Sequence, residues 1–343
     1  MNKRILICDP TLRDGNHAVS HQLSEAQVRA YCLAADRAGI PIVEVGHGNG
    51  LGASSLQVGL ALTTDKNMLC AARESLTSSK LGIHVIPGFA TIERDLKPAI
   101  DYGVDVFRIA SHCTEADITE RHIQFCRSQG KSVFGVLMMS HMADVPTLCD
   151  EARKMESYGA EAIVIMDSAG YYLPDDVTER IGALSTGLAI PVGFHGHNNL
   201  GMAVANSIAA VRAGASILDA CARGFGAGAG NTQIEALVAV LDRMRIPTGI
   251  DLYALLDAAD LAESGLIKEV PSIKSISIVS GLSGVFSGFV KPVQRIALEN
   301  GVDARDIFFE LGRRKVVAGQ EDLIIEVAQD LAKVQSSPRG VAT

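Results

Sequence analysis

The chain has 343 residues, 48% hydrophobic and 20% charged, a globular composition that excludes a disordered or collagen-like polypeptide. Lys and Arg number 31 against 39 Asp and Glu; the net charge of −8, with no basic stripe, makes nucleic acid and anionic membrane poor partners. A single core stops growing near ~250–300 residues, so the length points to one large domain and an appendage. The opening MNKRILICDP carries no signal-peptide pattern, and no apolar run approaches the ~20 residues of a membrane-spanning helix. Seven cysteines, an odd number without a C-x-x-C pair, read as reduced thiols, and a cytoplasmic location is expected.

In chain order, short apolar runs alternate with amphipathic stretches. The runs are RILICD (4–9), PIVEVG (41–46), GIHVIP (82–87), DVFRIA (105–110), SVFGVLMM (132–139), AIVIMD (162–167), PVGFHGH (191–197) and SILDAC (216–221). All eight have strand length and are rich in Val and Ile. Helices are predicted between them over 24–40, 91–103, 115–130, 144–159, 174–187, 199–214 and 231–244, with Ser24 as a cap and Gly39 as a stop for the first. The segment 51–79 is looser. Eight strands alternating with helices over residues 1–248 predict an α/β fold, a (β/α)8 TIM barrel. A doubly wound sheet would carry a Gly-rich fingerprint after its first strand, and CDPTLRDG is not one. Residues 249–343 break the rhythm with helical segments at 251–265 and 321–334. They read as a smaller C-terminal helical domain ending in a frayed SSPRGVAT.

A barrel carries its active site at the C-terminal ends of its strands. Seven of the nine histidines fall near those ends. His195 and His197 alternate on strand seven and so face the same way. Strands one and seven are both odd-numbered, so Asp14 can join them, and two imidazoles with one carboxylate make a catalytic divalent-metal site. The alternative for a bare His-x-His is a hydrogen-bonded core pair. Arg13 offers a planar fork to a carboxylate or an enolate oxygen, and it can equally brace the barrel mouth against Glu44. His17 is spaced to act as a general base or to face solvent from its loop. The loop GFGAGAGN (224–231) either cradles a phosphate or only turns tightly, with Asn231 as a cap or a site contact. No lysine ends a strand, so a Schiff-base aldolase is excluded and electron withdrawal falls to the metal. No G-x-S-x-G elbow is present.

D-x-T-L-R-D-G after strand one, with H-x-H-N at strand seven, resembles the metal-dependent lyase and synthase superfamily of TIM barrels. TLRDGNHAVSHQ (11–22), EVGHGNG (44–50), ASHCTEAD (110–117), LMMSHM (137–142), MESYGA (155–160), GAGAGN (226–231) and AGQED (318–322) make it most similar to the 4-hydroxy-2-oxovalerate aldolase family. The synthases of the superfamily carry Glu-Gln where this chain has Asn16-His17.

The resemblance implies retro-aldol cleavage of a 4-hydroxy-2-oxo acid to pyruvate and an aldehyde, in aromatic hydrocarbon catabolism. It implies that Asp14, His195 and His197 bind a divalent ion, usually Mn²⁺, with Mg²⁺ or Co²⁺ as alternatives. Arg13 would steady the pyruvate enolate, His17 would be the base, and Ser168 and His195 would contact the substrate. The tail would dock an acylating aldehyde dehydrogenase. An acyl-CoA Claisen-type synthase or lyase on the same barrel is the alternative activity. Three departures stand out. Leu282 and Phe286 replace the tail tyrosines of the family's G-Y-A-G-V-Y run. His84 stands where an apolar residue is usual, and the loop DSAGYY brings in Tyr171 and Tyr172. A phenol moved to that loop, or a more polar aldehyde end, would account for them.

Overall fold

The computed structural model describes residues 4–317 and 319–336. The tail end read as frayed, apart from Ser336, lies outside the described residues, as does Ala318 of the AGQED run. Each of the eight apolar runs becomes a strand: β1 Leu6–Leu12, β2 Ile42–Val45, β3 Lys80–Val85, β4 Val106–His112, β5 Ser132–Met138, β6 Ala162–Asp167, β7 Val192–Gly196 and β8 Ile217–Asp219. They pair in parallel in sequence order, and β8 returns to β1, closing the barrel. The predicted TIM barrel with a helical C-terminal region is the observed architecture.

Alternation along the strands sorts side chains into two cores. Ile7, Val43, Leu81, Ile83, Phe107, Ile109, Ile163, Ile165, Phe194 and Leu218 pack outward under the helices. Cys8, Ile42, Val106, Phe134, Val136, Ala162, Val164 and Ile217 cluster on the other face, plugging the barrel. Continuing that inner face two residues toward the strand ends brings Glu44 after Ile42, Arg108 after Val106 and Asp219 after Ile217. The same face of β3 and β7 carries His84 and His195. A buried charged layer therefore sits above an apolar plug.

The helix predicted over 24–40 is Glu25–Ala38; Gln27 N–H donates to the Ser24 hydroxyl, and Gly39 closes the helix at φ +75°. In the looser stretch 51–79 only Asp65–Ser75 is helical. The helix Leu252–Gly265 packs against Glu25–Ala38, and Leu255, Ala259 and Ala262 belong to the barrel's outer core. A separate apolar cluster begins at Ile276 and takes in Val285, Phe289, Val293, Phe308, Leu311 and Ile324. This second unit rests on the strand ends. Ser287 N–H donates to Ser168 O (3.1 Å), and His141 Nε2 lies 2.8 Å from Gly284 O. Lys291 Nζ donates to Ala18 O (2.9 Å). No helix among the described residues is long and apolar enough to cross a membrane, and all seven cysteines are free.

Candidate metal centre

The first βα turn is shaped by Pro10, which has no N–H for the sheet, and the β1–β2 register slips between Asp9 and Leu12. Pro10 O accepts instead from the N–H groups of Arg13 (3.0 Å) and Asp14 (2.8 Å), folding both side chains over the barrel mouth. Asp9 is tied outward by the Tyr31 hydroxyl (2.6 Å); burial pushes its carboxyl up to about 6.

Asp14, His195 and His197 meet. All three are buried, and a ligand atom from each lies within 4.8 Å of the others. His195 Nε2 and His197 Nε2 are 3.3 Å apart. Neighbouring ligand atoms on one cation with bonds of about 2.1 Å stand at close to that separation. Both nitrogens face one point with the carboxylate beside them, so the donor set fits a divalent ion and leaves further positions open. A hydrogen-bonded core pair would not bring in the Asp14 carboxylate.

Asp14 is held from three sides. Arg13 Nη1 donates to Oδ1 (2.8 Å), Asn231 Nδ2 to Oδ2 (2.6 Å), and Ala227 N–H to Oδ2 (3.4 Å). Burial opposes ionisation, but Arg13 and the imidazoles of His197 and His17 hold the carboxyl well below the usual range. Asn231 is thus a site contact, not a cap. The Gly-rich loop serves close approach here: a Cβ on Gly226 would stand 2.1 Å from Asn231 Nδ2 and 2.6 Å from Asp14 Oδ2.

Arg13 also donates from Nε to Glu44 Oε1 (2.6 Å), while Nη2 is buried without a partner. The brace to Glu44 and the contact with Asp14 hold together. Burial would raise the Glu44 carboxyl, but Arg108 and Arg13 bring it down to about 2. Arg108 donates to Glu44 Oε2 (2.9 Å) and Asp219 Oδ2 (2.5 Å), and Asp219 Oδ2 lies 3.0 Å from His195 Nδ1. Sequence reasoning gives no role to either Arg108 or Asp219. An ionisable residue with apolar neighbours on both sides, Arg108 in DVFRIA and Asp219 in SILDAC, is the available signal.

His17 follows in the short helix Gly15–Ala18 and is half-buried at the rim. Gly48 makes room for it: a Cβ there would lie 2.5 Å from His17 Nε2. Burial brings the imidazole down to about 4 against the opposing pull of Asp14, so it is neutral at pH 7. His21, at φ +61°, stacks on His47 with centroids 3.6 Å apart and meets His17 edge-on at 5.2 Å. A cavity of about 540 Å³ opens at this rim, between barrel and tail, lined by His17, His21, Phe225, Gly226, Phe286 and Lys291. Asp14, His195 and His197 lie buried behind that wall.

Ser168 lies just beyond β6, buried, its hydroxyl accepting from Met139 N–H (3.0 Å). Phe286 stands edge-on to His17 at 6.2 Å, and Leu282 is exposed. Tyr172 is buried and donates to Ser140 Oγ (3.0 Å), while Tyr171 packs on His141. Their backbone N–H groups both donate to Asp167. His84 sits in the charged layer beside Arg13, Glu44 and Arg108, and burial brings its imidazole down to about 3.

A family model described as HMGL-like matches residues 4–262, and one described as a DmpG-like communication domain matches residues 271–333. A 4-hydroxy-2-oxovalerate aldolase of Spirochaeta aurantia is 68% identical over 327 residues, covering 95% of this chain and 96% of its own. One from Pectobacterium atrosepticum is 65% identical over 333 residues, with 97% of each chain covered. Among solved structures, the carboxyl transferase domain of Rhizobium etli pyruvate carboxylase matches 98% of this chain and 63% of its own. Its TM-score is 0.79 at 18% identity, a likeness of fold.

Proposed function

We propose a mechanism from one premise: the chain belongs to the HMGL-like family and, within it, to the 4-hydroxy-2-oxovalerate aldolases. It is a carbon–carbon lyase, splitting a 4-hydroxy-2-oxo acid into pyruvate and an aldehyde by a metal-dependent retro-aldol reaction. The observation that carries the assignment of residues is the convergence of Asp14, His195 and His197, with Arg13 against the same carboxylate.

Asp14, His195 and His197 would hold a divalent cation, which we assign as Mn²⁺ ahead of Mg²⁺ or Co²⁺ and which would supply Lewis acidity toward the 2-oxo group. Arg13 turns its unpartnered Nη2 to the oxygen that gains charge, as an oxyanion donor does. His17, neutral at pH 7, accepts the C4 hydroxyl proton. The C3–C4 bond breaks, its electron pair passes to the pyruvate enolate, and C4 leaves as the aldehyde carbonyl. The proton held by His17 is then available for C3. Ser168 is assigned to the substrate's carboxylate or keto end. With Phe286 beside His17, the tail puts an aromatic ring without a hydroxyl at the rim. The communication domain is assigned to docking an acylating aldehyde dehydrogenase that takes the aldehyde.

Pyruvate release from a panel of 4-hydroxy-2-oxo acids, with chelator and then with each metal restored, tests this reading. Activity should vanish with chelator and return most fully with Mn²⁺. Full activity in chelator would remove the metal from the mechanism.

A further inference from the structure

We propose that Asp219 and Arg108, neither of them a ligand, are positioning residues that fix which nitrogen of His195 faces the cation. The inference rests on the metal-centre reading above and deepens it.

The geometry is a continuous chain of contacts from one ligand to another. It runs from Asp14 to Arg13, from Arg13 to Glu44, from Glu44 to Arg108, and from Arg108 to Asp219 Oδ2, which lies against His195 Nδ1. All six residues are buried. Glu44, Arg108 and Asp219 come from β2, β4 and β8, alternate strands that share one interior layer.

An imidazole in a barrel interior can carry its proton on either nitrogen. Only one form leaves a lone pair on Nε2, the atom 3.3 Å from His197 Nε2. A carboxylate beside Nδ1 accepts and cannot donate, so it selects the form with hydrogen on Nδ1. Asp219 Oδ2 occupies that place at 3.0 Å. Arg108 Nη2 donates to the same oxygen, and its Nη1 donates to Glu44, so one guanidinium sets the angle of both carboxylates. A plain structural brace would need Arg108 to pair with one acid. It would not need the second oxygen contact to fall on a histidine whose far nitrogen points at the ligand cluster.

The first test uses the wild-type protein without metal, carrying ¹⁵N-labelled histidine. Long-range proton–nitrogen spectra at pH 7.5 should show His195 protonated on Nδ1 alone; the signal is assigned by its loss in His195→Gln. A proton on Nε2 would overturn the proposal. The second test is calorimetric titration with Mn²⁺. Asp219→Asn should weaken binding by about 10–100-fold, the usual scale for losing such a partner. Arg108→Lys, which keeps a cation but cannot bridge two acids, should weaken it less. Wild-type affinity in Asp219→Asn would sink the positioning role and leave the metal centre standing, whereas no Mn²⁺ binding by the wild type would sink both. If Asp219→Asn does not fold, the wild-type spectrum alone decides.

Discussion

Arg13 reaches Glu44 with Nε and Asp14 with Nη1, and its remaining Nη2 is buried without a partner. A buried unpaired donor costs about 1–3 kcal/mol, so a side chain that holds one at a reaction centre is arranged for a ligand. Arg13→Ala should therefore lower kcat by about 10²–10³, the scale for removing one oxyanion donor. Arg13→Lys should recover little, because a single ammonium cannot serve Glu44, Asp14 and substrate together. Steady-state kinetics on both variants, with melting curves to confirm folding, checks this; an unchanged kcat in Arg13→Ala would remove the residue from the chemistry.

The loop after β8 shows how an element can serve a site through what it lacks. Gly226 presses against Asn231 Nδ2 and Asp14 Oδ2 at distances no Cβ tolerates. Gly226→Ala should push Asn231 off Asp14 and lower both metal affinity and kcat, with an intact far-ultraviolet dichroism spectrum. Titration with Mn²⁺ reads the effect, and unaltered affinity would refute the close-approach account. This role was not legible in the sequence, because a run of glycines before a helix reads equally as a phosphate cradle or a tight turn. The shared direction of His195 and His197 was legible, since strand periodicity fixes it; the odd-strand layer named Asp14 as their partner, but the Pro10 turn beyond the end of β1 is what carries it there. Asp219 was not: one acid within SILDAC carries no sign of which strand stands beside it, and only the β7–β8 pairing brings it to His195. In 51–79 the helix was obscured because most of the segment is a loop whose shape depends on other elements. Leu62 N–H donates to His21 O, and Thr63 Oγ1 to Leu23 O.

The molecule as a whole keeps an unusual number of imidazoles out of water, and this sets its response to pH. Burial brings His17, His141 and His197 down to about 4 and His21 and His84 to about 3, from an ordinary value near 6.5. Between about pH 4 and 6.5 the unfolded chain therefore binds protons at these five positions that the folded chain refuses. Their stabilising contribution is complete above 6.5 and is lost as pH falls through that window. Three carboxyls act in the opposite sense: burial raises Asp9 to about 6, Asp167 to about 7 and Asp65 above its ordinary value, so the folded chain keeps protons there that the unfolded chain has released. The imidazoles, joined at lower pH by Asp14, Asp36 and Glu44, whose carboxyls are held below the ordinary range, outweigh these acids, and the net effect is acid destabilisation beginning below about pH 6.5. Urea unfolding of the metal-free protein should give a lower midpoint at pH 5 than at pH 7. Saturating Mn²⁺ should widen the gap, because the imidazole ligands bind a cation only when deprotonated and the bound ion stabilises only the folded state. A midpoint that rises on acidification would mean that the raised acids, not the histidines, govern the balance.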